Sequence, residues 1–463
     1  MKTISSPFHP VLLLASLMLF TGCTRFEPAR VRREQTASFI SNLNAKAEAY
    51  VNQPLTLTDC IQIAMTNNYD VRRADLDQEL ARIGRNVAFT AFLPNVAASA
   101  GYNAYSKDPR LTSKEFGTAA IDIGMPIFMP SAWFLYASAQ HGYAAAGMAA
   151  HYTRQNIVLQ TTLNYYNVAV QQETIWALES QLEAARETAH RVEGLATEGF
   201  ITQWEKDQAL YQVEAREVEL THARRQLRIL RSELLQGLGL SPFTHVELAD
   251  ATDETKRPGG TIEDLVLKAL EIHPQLSIAD RQVVMKEHAV RQAFCSFIPT
   301  VSLFANHEWT GNDLAAHSAN WVAGFSGVWT LFDGLANVAR YRAAKVERRE
   351  ARLDRENTFL SVIVGVISAE AALNNAIESA RLYQRSYDVA AAKYADYDAK
   401  AKEGVIPLSD ALDARADMDL AQVVLVKSRY QAKIATANLE LAMGITLLPE
   451  AVAPSAEEPV SEE

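Results

Sequence analysis

Few residues in this sequence have the types and spacing that catalysis requires. His307 and Glu308 begin a zinc-protease pattern, but no second histidine follows four residues later, and the ten histidines do not cluster at metal-ligand spacing. Gly237 and Gly239 lack the third glycine of a dinucleotide-binding loop. Neither a nucleophile elbow nor a phosphate loop occurs. The sequence therefore predicts a protein that is not an enzyme and has no metal or cofactor site.

Cys23 is the residue with the clearest covalent chemistry, because its sulfur is placed to accept a lipid. A positively charged start, an apolar stretch over residues 11–20 and two small residues precede it, and this order resembles a bacterial lipoprotein signal. Phe20 departs from the usual aliphatic residue of such signals. We expect residues 1–22 to be removed and Cys23 to carry the lipid; ordinary cleavage beside an incidental cysteine is the alternative.

The composition limits the classes of partner and of membrane crossing. The chain has 463 residues and a formal net charge of -11, so no nucleic-acid partner is expected, because phosphate binding needs clustered lysine and arginine. After residue 22 no apolar run approaches the roughly 20 residues that a membrane-spanning helix needs. Any membrane crossing is therefore expected to use strands.

An internal repeat organises the chain. Residues 57–94 align with residues 262–299 without a gap at an offset of 205, and the same offset places Gly199 on Gly404. Two copies of one unit are therefore predicted. The predicted segments are a signal peptide (1–22), a tether (23–56), a first repeat (57–240), a linker (241–261), a second repeat (262–445) and a disordered acidic tail (446–463).

Each repeat contains a predicted β-hairpin, over residues 94–128 in the first and 299–332 in the second. The residues alternate between apolar and small or polar, and each strand reaches the length of about 9–11 residues that a tilted membrane strand needs. One face suits lipid and the other suits water. An ordinary antiparallel sheet packed on a soluble core remains the alternative.

A very long helix follows each hairpin, over residues 133–198 and 335–403, in stretches rich in strong helix formers. At 1.5 Å per residue such a helix is about 100 Å long, which no compact domain accommodates. Heptad-like spacing of apolar residues in the second helix predicts coiled-coil packing. Gly199 and Gly404 then provide the chain reversals.

The number of strands predicts oligomerisation. Membrane barrels start at eight strands, and an open strand edge in hydrocarbon leaves backbone groups unpaired. The four predicted strands of one chain therefore need further copies, and two, three or four copies all satisfy this requirement.

The lipoprotein-like start, the duplicated unit of helix, hairpin and very long helix, and the glycine-centred turns resemble the TolC family of outer-membrane efflux proteins. The resemblance covers nearly all of residues 57–445. It implies a mainly α-helical fold with membrane β-structure: a homotrimer whose four strands per subunit form one twelve-stranded β-barrel, continued through the periplasm by a coiled-coil α-barrel. It also implies a passive efflux channel in the outer membrane, with a periplasmic adaptor protein and an inner-membrane pump as partners.

The resemblance also assigns an acidic constriction. The family prototype closes its periplasmic tip with two rings of aspartate, six and nine residues after the turn glycine, and Asp410 and Asp413 stand at these distances from Gly404. Carboxylates in a narrow lumen favour cations. Glu205, where the prototype has aspartate, is a further candidate. The alternative for Asp410 is that it simply starts the returning helix, where acids are favoured.

The two helical turns are the contact sites for the adaptor in the family. The residues expected there are Gly199, Phe200, Ile201, Gly404, Val405 and Ile406. Ala401 and Ile406 replace a tyrosine and an arginine of the prototype, so the network that closes the tip must differ in this chain.

Two other functions remain open at this stage. A channel for type I protein secretion has the same architecture, and sequence does not separate it from one for small molecules. A lipid-anchored coiled-coil scaffold without a pore uses the same long helices.

Overall fold

The computed structural model describes residues 27–48, 50, 54–107, 109, 112–200, 202–249 and 259–445. The predictions for the signal peptide, for Cys23, for Ile201 and for the acidic tail fall outside these residues.

Thirteen helices and strands make up most of the described chain. The first is α1 (Pro28–Glu48). The first repeat contains α2 (Leu57–Asn67), α3 (Tyr69–Phe89), β1 (Asn95–Ala104), β2 (Glu115–Phe128), α4 (Pro130–Thr197) and α5 (Gln203–Gly237). The second contains α6 (Ile262–Ile272), α7 (Pro274–Phe294), β3 (Thr300–Thr310), β4 (Ala319–Val328), α8 (Ala336–Lys402) and α9 (Leu408–Ala442). The predicted class, mainly helical with four strands, is confirmed.

Equivalent helices start with equivalent caps. The side chain of Thr56 accepts from the backbone of Asp59 at the start of α2, and Thr261 does the same with Asp264 at the start of α6. In both capping boxes the aspartate carboxylate also accepts a hydrogen bond from the backbone N–H of the threonine. Two N–H groups that the helix itself leaves unpaired are thus satisfied. The same short sequence signal therefore fixes where both repeats begin.

A glycine closes each repeat against the junction between its first two helices. Gly239 has φ +69°, and a Cβ there would lie 2.3 Å from the carbonyl oxygen of Asn67. Gly444 has φ +71°, and its Cβ would lie 2.7 Å from the Cα of His273. The left-handed backbone and the close approach both require glycine. These two contacts hold the ends of α5 and α9 on the junctions.

The strands form one antiparallel sheet in the order β1-β2-β3-β4. Paired residues share a face, so Ile121, His307 and Trp321 lie on one side and Asp122, Asn306 and Val322 on the other. The first face is mostly apolar. No residue of the four strands is buried. The described chain therefore places no core against this sheet, which excludes the alternative of an ordinary sheet on a soluble core.

The helices form a layer that changes partners half-way along. Near the sheet the neighbours run α3, α4, α7, α8, and further away they run α5, α4, α9, α8. Two apolar cores lie where the part of the layer near the sheet meets the part further away. One includes Tyr165, Leu234 and Leu235, and its counterpart in the second repeat includes Leu373 and Leu439. The sheet and the helical layer consequently share two open sides. Strand β1 and helices α3 and α5 form one side, and strand β4 and helix α8 form the other.

The long helix α8 corrects the expectation that no apolar run after residue 22 is long enough to span a membrane as a helix. It contains an 18-residue stretch that by length and composition alone is apolar enough to cross a membrane. Only 17% of that stretch is buried in the single chain. Because α8 forms an open side of the helical layer, we assign the stretch to an uncovered packing surface.

Both described cysteines, Cys60 and Cys295, are free and buried. Burial raises the pKa of the Cys60 thiol to about 12 and also raises the pKa of Cys295. Since only a thiolate reacts, both side chains are inert packing groups.

Candidate channel tip and open edges

The two helical hairpins end in matching turns. Gly199 and Gly404 have φ +82° and +72°, and no atom lies within 4 Å of a Cβ built at either position. The N–H of Phe200 donates to the carbonyl of Leu195 at 3.0 Å, and that of Val405 donates to Lys400 at 2.8 Å. These bonds cap the last carbonyls of α4 and α8. The side chains of Phe200 and Val405 are left exposed at the ends of the molecule.

Three aspartates share one face at the start of α9. Asp410 lies in the first turn, and Asp413 and Asp417 follow at helical spacing of three and four residues. Across the hairpin, Nζ of Lys393 on α8 donates to Asp417 at 2.9 Å. The sequence identified the first two acids, but Asp417 and its lysine partner depend on the register between α8 and α9, which the sequence did not reveal.

The surroundings of Asp413 shift the pKa of its carboxyl. Partial desolvation, followed by the neighbouring carboxylates of Asp410 and Asp417, raises the pKa of its carboxyl, while Lys393 opposes this effect. A raised carboxyl pKa means that the ionised form is disfavoured in this packing. The face therefore brings three carboxyl groups together in a packing that favours protonation of Asp413.

Two polar contacts fix the start of α9 against α4. Nη1 of Arg191 donates to Oγ of Ser409 at 2.7 Å, and Nη1 of Arg415 lies 3.4 Å from Oε2 of Glu183. Ser409 in turn donates to Asp410 at 3.1 Å. The hydrogen bonds from Arg191 to Ser409 and from Ser409 to Asp410 position this first aspartate. The sequence did not identify Arg191 or Arg415, because each arginine lies far along the chain from its partner, at separations of 218 and 232 residues.

Asp419 is a second unanticipated acid, located one turn beyond Arg415. It is 1% exposed, and neither carboxylate oxygen has a hydrogen-bond partner. The nearest cation is Nε of Arg415 at 3.9 Å. Asp419 faces away from the other three acids, since it follows Asp417 by two residues on the helix. It therefore belongs to the packing of α9 and not to the acidic face.

Glu205 has a different position from Asp410, although the repeat places them at equivalent sites. Oε2 of Glu205 accepts from both the backbone N and Oγ1 of Thr202 at 2.7 Å, which forms a capping box for α5. These bonds lower its pKa. Its carboxylate therefore caps α5 in the single chain, and its place in the aperture stays a prediction.

The positions that depart from the family prototype lie at the end of α8 and in the turn after it. The carbonyl of Ala401 accepts from the N–H of Gly404 at 3.1 Å, and Ile406 is half-buried in the turn. Among the described residues, no group of three metal-ligating side chains is placed to hold an ion.

The open sides of the layer carry rows of exposed apolar residues. On α3 and α5 the rows lie on the side of each helix opposite α4, and on α8 the row lies opposite α9, by the 100° rotation per residue. The exposed members are Leu76, Leu80, Ile83 and Val87 on α3, Trp204, Tyr211, Val218 and Ile229 on α5, and Val346, Leu353, Leu360, Val364, Ile367, Leu382 and Val389 on α8. Their heptad-like spacing is that of coiled-coil seams without partners.

Comparison with known families gives a match over both repeats. The model of the outer membrane efflux protein family matches residues 60–240 and 265–445, two ranges related by the same offset as the internal repeat. The chain is also 21% identical over 398 residues to the probable outer membrane lipoprotein SilC of Salmonella typhimurium, covering 82% of this chain and 84% of that protein.

Solved structures share the fold. A membrane protein from Pseudomonas aeruginosa superposes with a TM-score of 0.71 at 19% identity, over 87% of this chain and 93% of that one. The Neisseria gonorrhoeae MtrE outer membrane channel, in its open state, gives 0.70 at 18% identity, over 84% and 89%. These likenesses show that the fold is shared.

Proposed function

This chain belongs to the outer membrane efflux protein family, and we propose that three copies of it close one channel that conducts substrates from a periplasmic adaptor and an inner-membrane pump to the exterior. The family places the protein in the outer membrane and gives it a role in efflux. The number of copies, the partners and the residues of the aperture are the proposed part.

The observation that carries the proposal is the pair of open sides. Strand β1 follows α3, and strand β4 precedes α8, so each side of the chain has a free strand edge continuous with an apolar helix row. A free strand edge in lipid leaves N–H and C=O groups unpaired, and an apolar row in water is equally unfavourable. Joining the β4–α8 side of one copy to the β1–α3 side of the next satisfies both.

Three copies fit the geometry of a conducting barrel. They bring twelve strands, above the minimum of about eight for a closed membrane barrel. The apolar face of the sheet then meets lipid and the Asp122 face lines the lumen. A scaffold without a pore leaves this apolar face uncovered, which disfavours that alternative.

The tip of the helices supplies the aperture and the adaptor contact. Asp410 and Asp413 of three copies would ring the lumen at its narrow end, and exposed Phe200 and Val405 would face the adaptor. We propose that Cys23 carries the lipid that anchors each copy in the outer membrane.

The internal repeat predicts a contact that tests the ring. Within the chain, His141 of α4 stacks on His288 of α7 with ring centroids 5.6 Å apart. The equivalent pair is found by adding the repeat offset of 205 to the number of His141 and subtracting it from that of His288. It consists of Val346 of one copy and Ile83 of the next. Oxidation of the double variant Ile83→Cys/Val346→Cys should produce covalent trimers on denaturing gels.

A matched control replaces the outward residue of α3 with an inward one. Arg85 lies over the ring of Tyr143 in its own chain at 5.0 Å, so Arg85→Cys/Val346→Cys should remain monomeric. The buried Cys60 and Cys295 do not interfere. Cross-linked products up to tetramers would show that the ring has four copies and not three. Monomers alone would reject the ring.

A further inference from the structure

Helix α1 stands beside the open side of the layer and has no counterpart in the second repeat. Adding the repeat offset of 205 to the residue numbers of α1 gives positions at the end of α5 and in the linker. Ala47 is its single buried residue among those described, and Phe39 is 52% exposed. The helix is therefore not held in place by a core of its own chain along most of its length.

A groove of about 860 Å³ separates α1 from α5. Phe39 and Leu43 form its wall on α1, and Tyr69 and Leu240 also line it. On α5, Ile229 lies among polar and charged lining residues, which are Arg225, Arg228, Ser232, Glu233 and Gln236. Ile229 is 51% exposed and belongs to the apolar row of α5. The groove thus lies on the side of the molecule where the next copy is proposed to join.

The second repeat shows what should fill this position. There, Nε2 of Gln155 on α4 donates to the carbonyl of Ile445 at 3.5 Å. Moved by the repeat offset, the pair becomes Leu360 on α8 of a neighbouring copy and Leu240, which lines the groove.

A second pair gives the same register. Tyr166 of α4 stacks on Tyr430 of α9 with ring centroids 4.7 Å apart. The equivalent pair is Ala371 on the neighbouring α8 and Arg225, another residue of the groove. In a ring built with the repeat geometry, both pairs bring the same stretch of α8 to the same groove.

We propose that α1 is an intersubunit clamp: the groove between α1 and α5 receives residues 360–371 of α8 from the adjacent copy, and Phe39 and Leu43 close over them. The proposal rests on the ring described above. On α8 the exposed Leu360, Val364 and Ile367 lie along one face and match the apolar residues of the groove, which are Phe39 and Leu43 on α1 and Ile229 on α5. The segment that follows the proposed lipid anchor thereby binds the neighbouring subunit.

Thiol cross-linking of the full-length protein in membranes tests the clamp. In Phe39→Cys/Val364→Cys, a short bifunctional thiol reagent should link different copies, because within one chain α4 and α9 separate α5 from α8. Ser41→Cys/Val364→Cys is the control, since Ser41 lies two residues on and faces away. We expect multimers from the first variant and only background from the second.

The outcomes separate the clamp from the ring. Failure of the Phe39 pair, while Ile83→Cys/Val346→Cys still forms trimers, would overturn the clamp and leave the ring standing. Equal linking by the Phe39 and Ser41 pairs would also overturn it, because it would show that α1 is not docked by one face. Failure of both the Phe39 and the Ile83 pairs would reject clamp and ring together.

Discussion

Asp413 shows how one residue links the acidic face to pH. Its pKa is raised, so the folded protein holds this proton more tightly than the unfolded chain does. By linkage, the contribution of protonated Asp413 to stability is fully present below the ordinary aspartate pKa of about 3.9 and is lost as the pH rises through the folded value. Acid therefore stabilises this packing of the tip and discharges the proposed constriction.

Cation selectivity should accordingly weaken on acidification at a higher pH than an ordinary aspartate would cause. The reversal potential in a potassium chloride gradient across a planar bilayer measures this. Asp413→Asn should lower the selectivity at neutral pH and remove most of its pH dependence. Asp207→Asn removes a carboxylate near the tip of the other hairpin and should change neither; unchanged selectivity in Asp413→Asn would show that Asp413 does not line the pore.

Glu205 should act on the stability of its helix. Glu205→Ala removes both bonds to Thr202, and loss of such a cap costs about 1 kcal/mol. Hydrogen exchange of the amides at the start of α5 should therefore accelerate, while Glu205→Gln, which retains an acceptor, should remain close to the parent protein. Equal exchange in the alanine variant would show that the capping box contributes nothing.

At this scale the sequence identified the residues that a family pattern marks, Asp410 and Asp413. It missed Asp417, Lys393 and Asp419, because their environment depends on which helix faces which across the hairpin. It also placed Glu205 in the aperture by analogy, which stays a prediction, and did not show that its carboxylate caps α5. Local spacing predicts a residue's helix, but not what lies across from it.

Glycines at the ends of elements differ in what surrounds them. Gly239→Ala and Gly199→Ala both place a side chain in the left-handed region, which costs about 1–2 kcal/mol. At Gly239 the new Cβ also meets the backbone of Asn67, and such overpacking adds about 1–3 kcal/mol. The melting temperature in detergent should therefore fall clearly more for Gly239→Ala. Equal losses would mean that the junction relaxes freely.

The elements themselves were largely predictable. The predicted long helices at 133–198 and 335–403 end within a few residues of those observed, and Gly199 and Gly404 follow them as expected. The helix α1 was not predicted within the tether, because its apolar residues are sparse and unpartnered. Nor did the sequence show that the apolar stretch of α8 is an open side, since exposure depends on the order of helices in the layer.

The whole molecule is defined by what a single copy leaves uncovered. Its sheet has an apolar face without a core, and its layer ends in unpartnered coiled-coil rows on α3, α5 and α8. These surfaces continue one another from the strands to the helical tips. This is what we propose for the assembly: one chain is a segment of a wall, and the repeat supplies the geometry by which the next segment joins.

Single-channel recording is the most direct test of the account, because a closed ring of chains must contain a continuous pore. The full-length protein, purified in detergent and shown to be oligomeric, is added to a planar lipid bilayer. Closed rings should give discrete, reproducible conductance steps that favour cations over anions. An oligomer that enters the bilayer and never conducts would contradict the proposed ring.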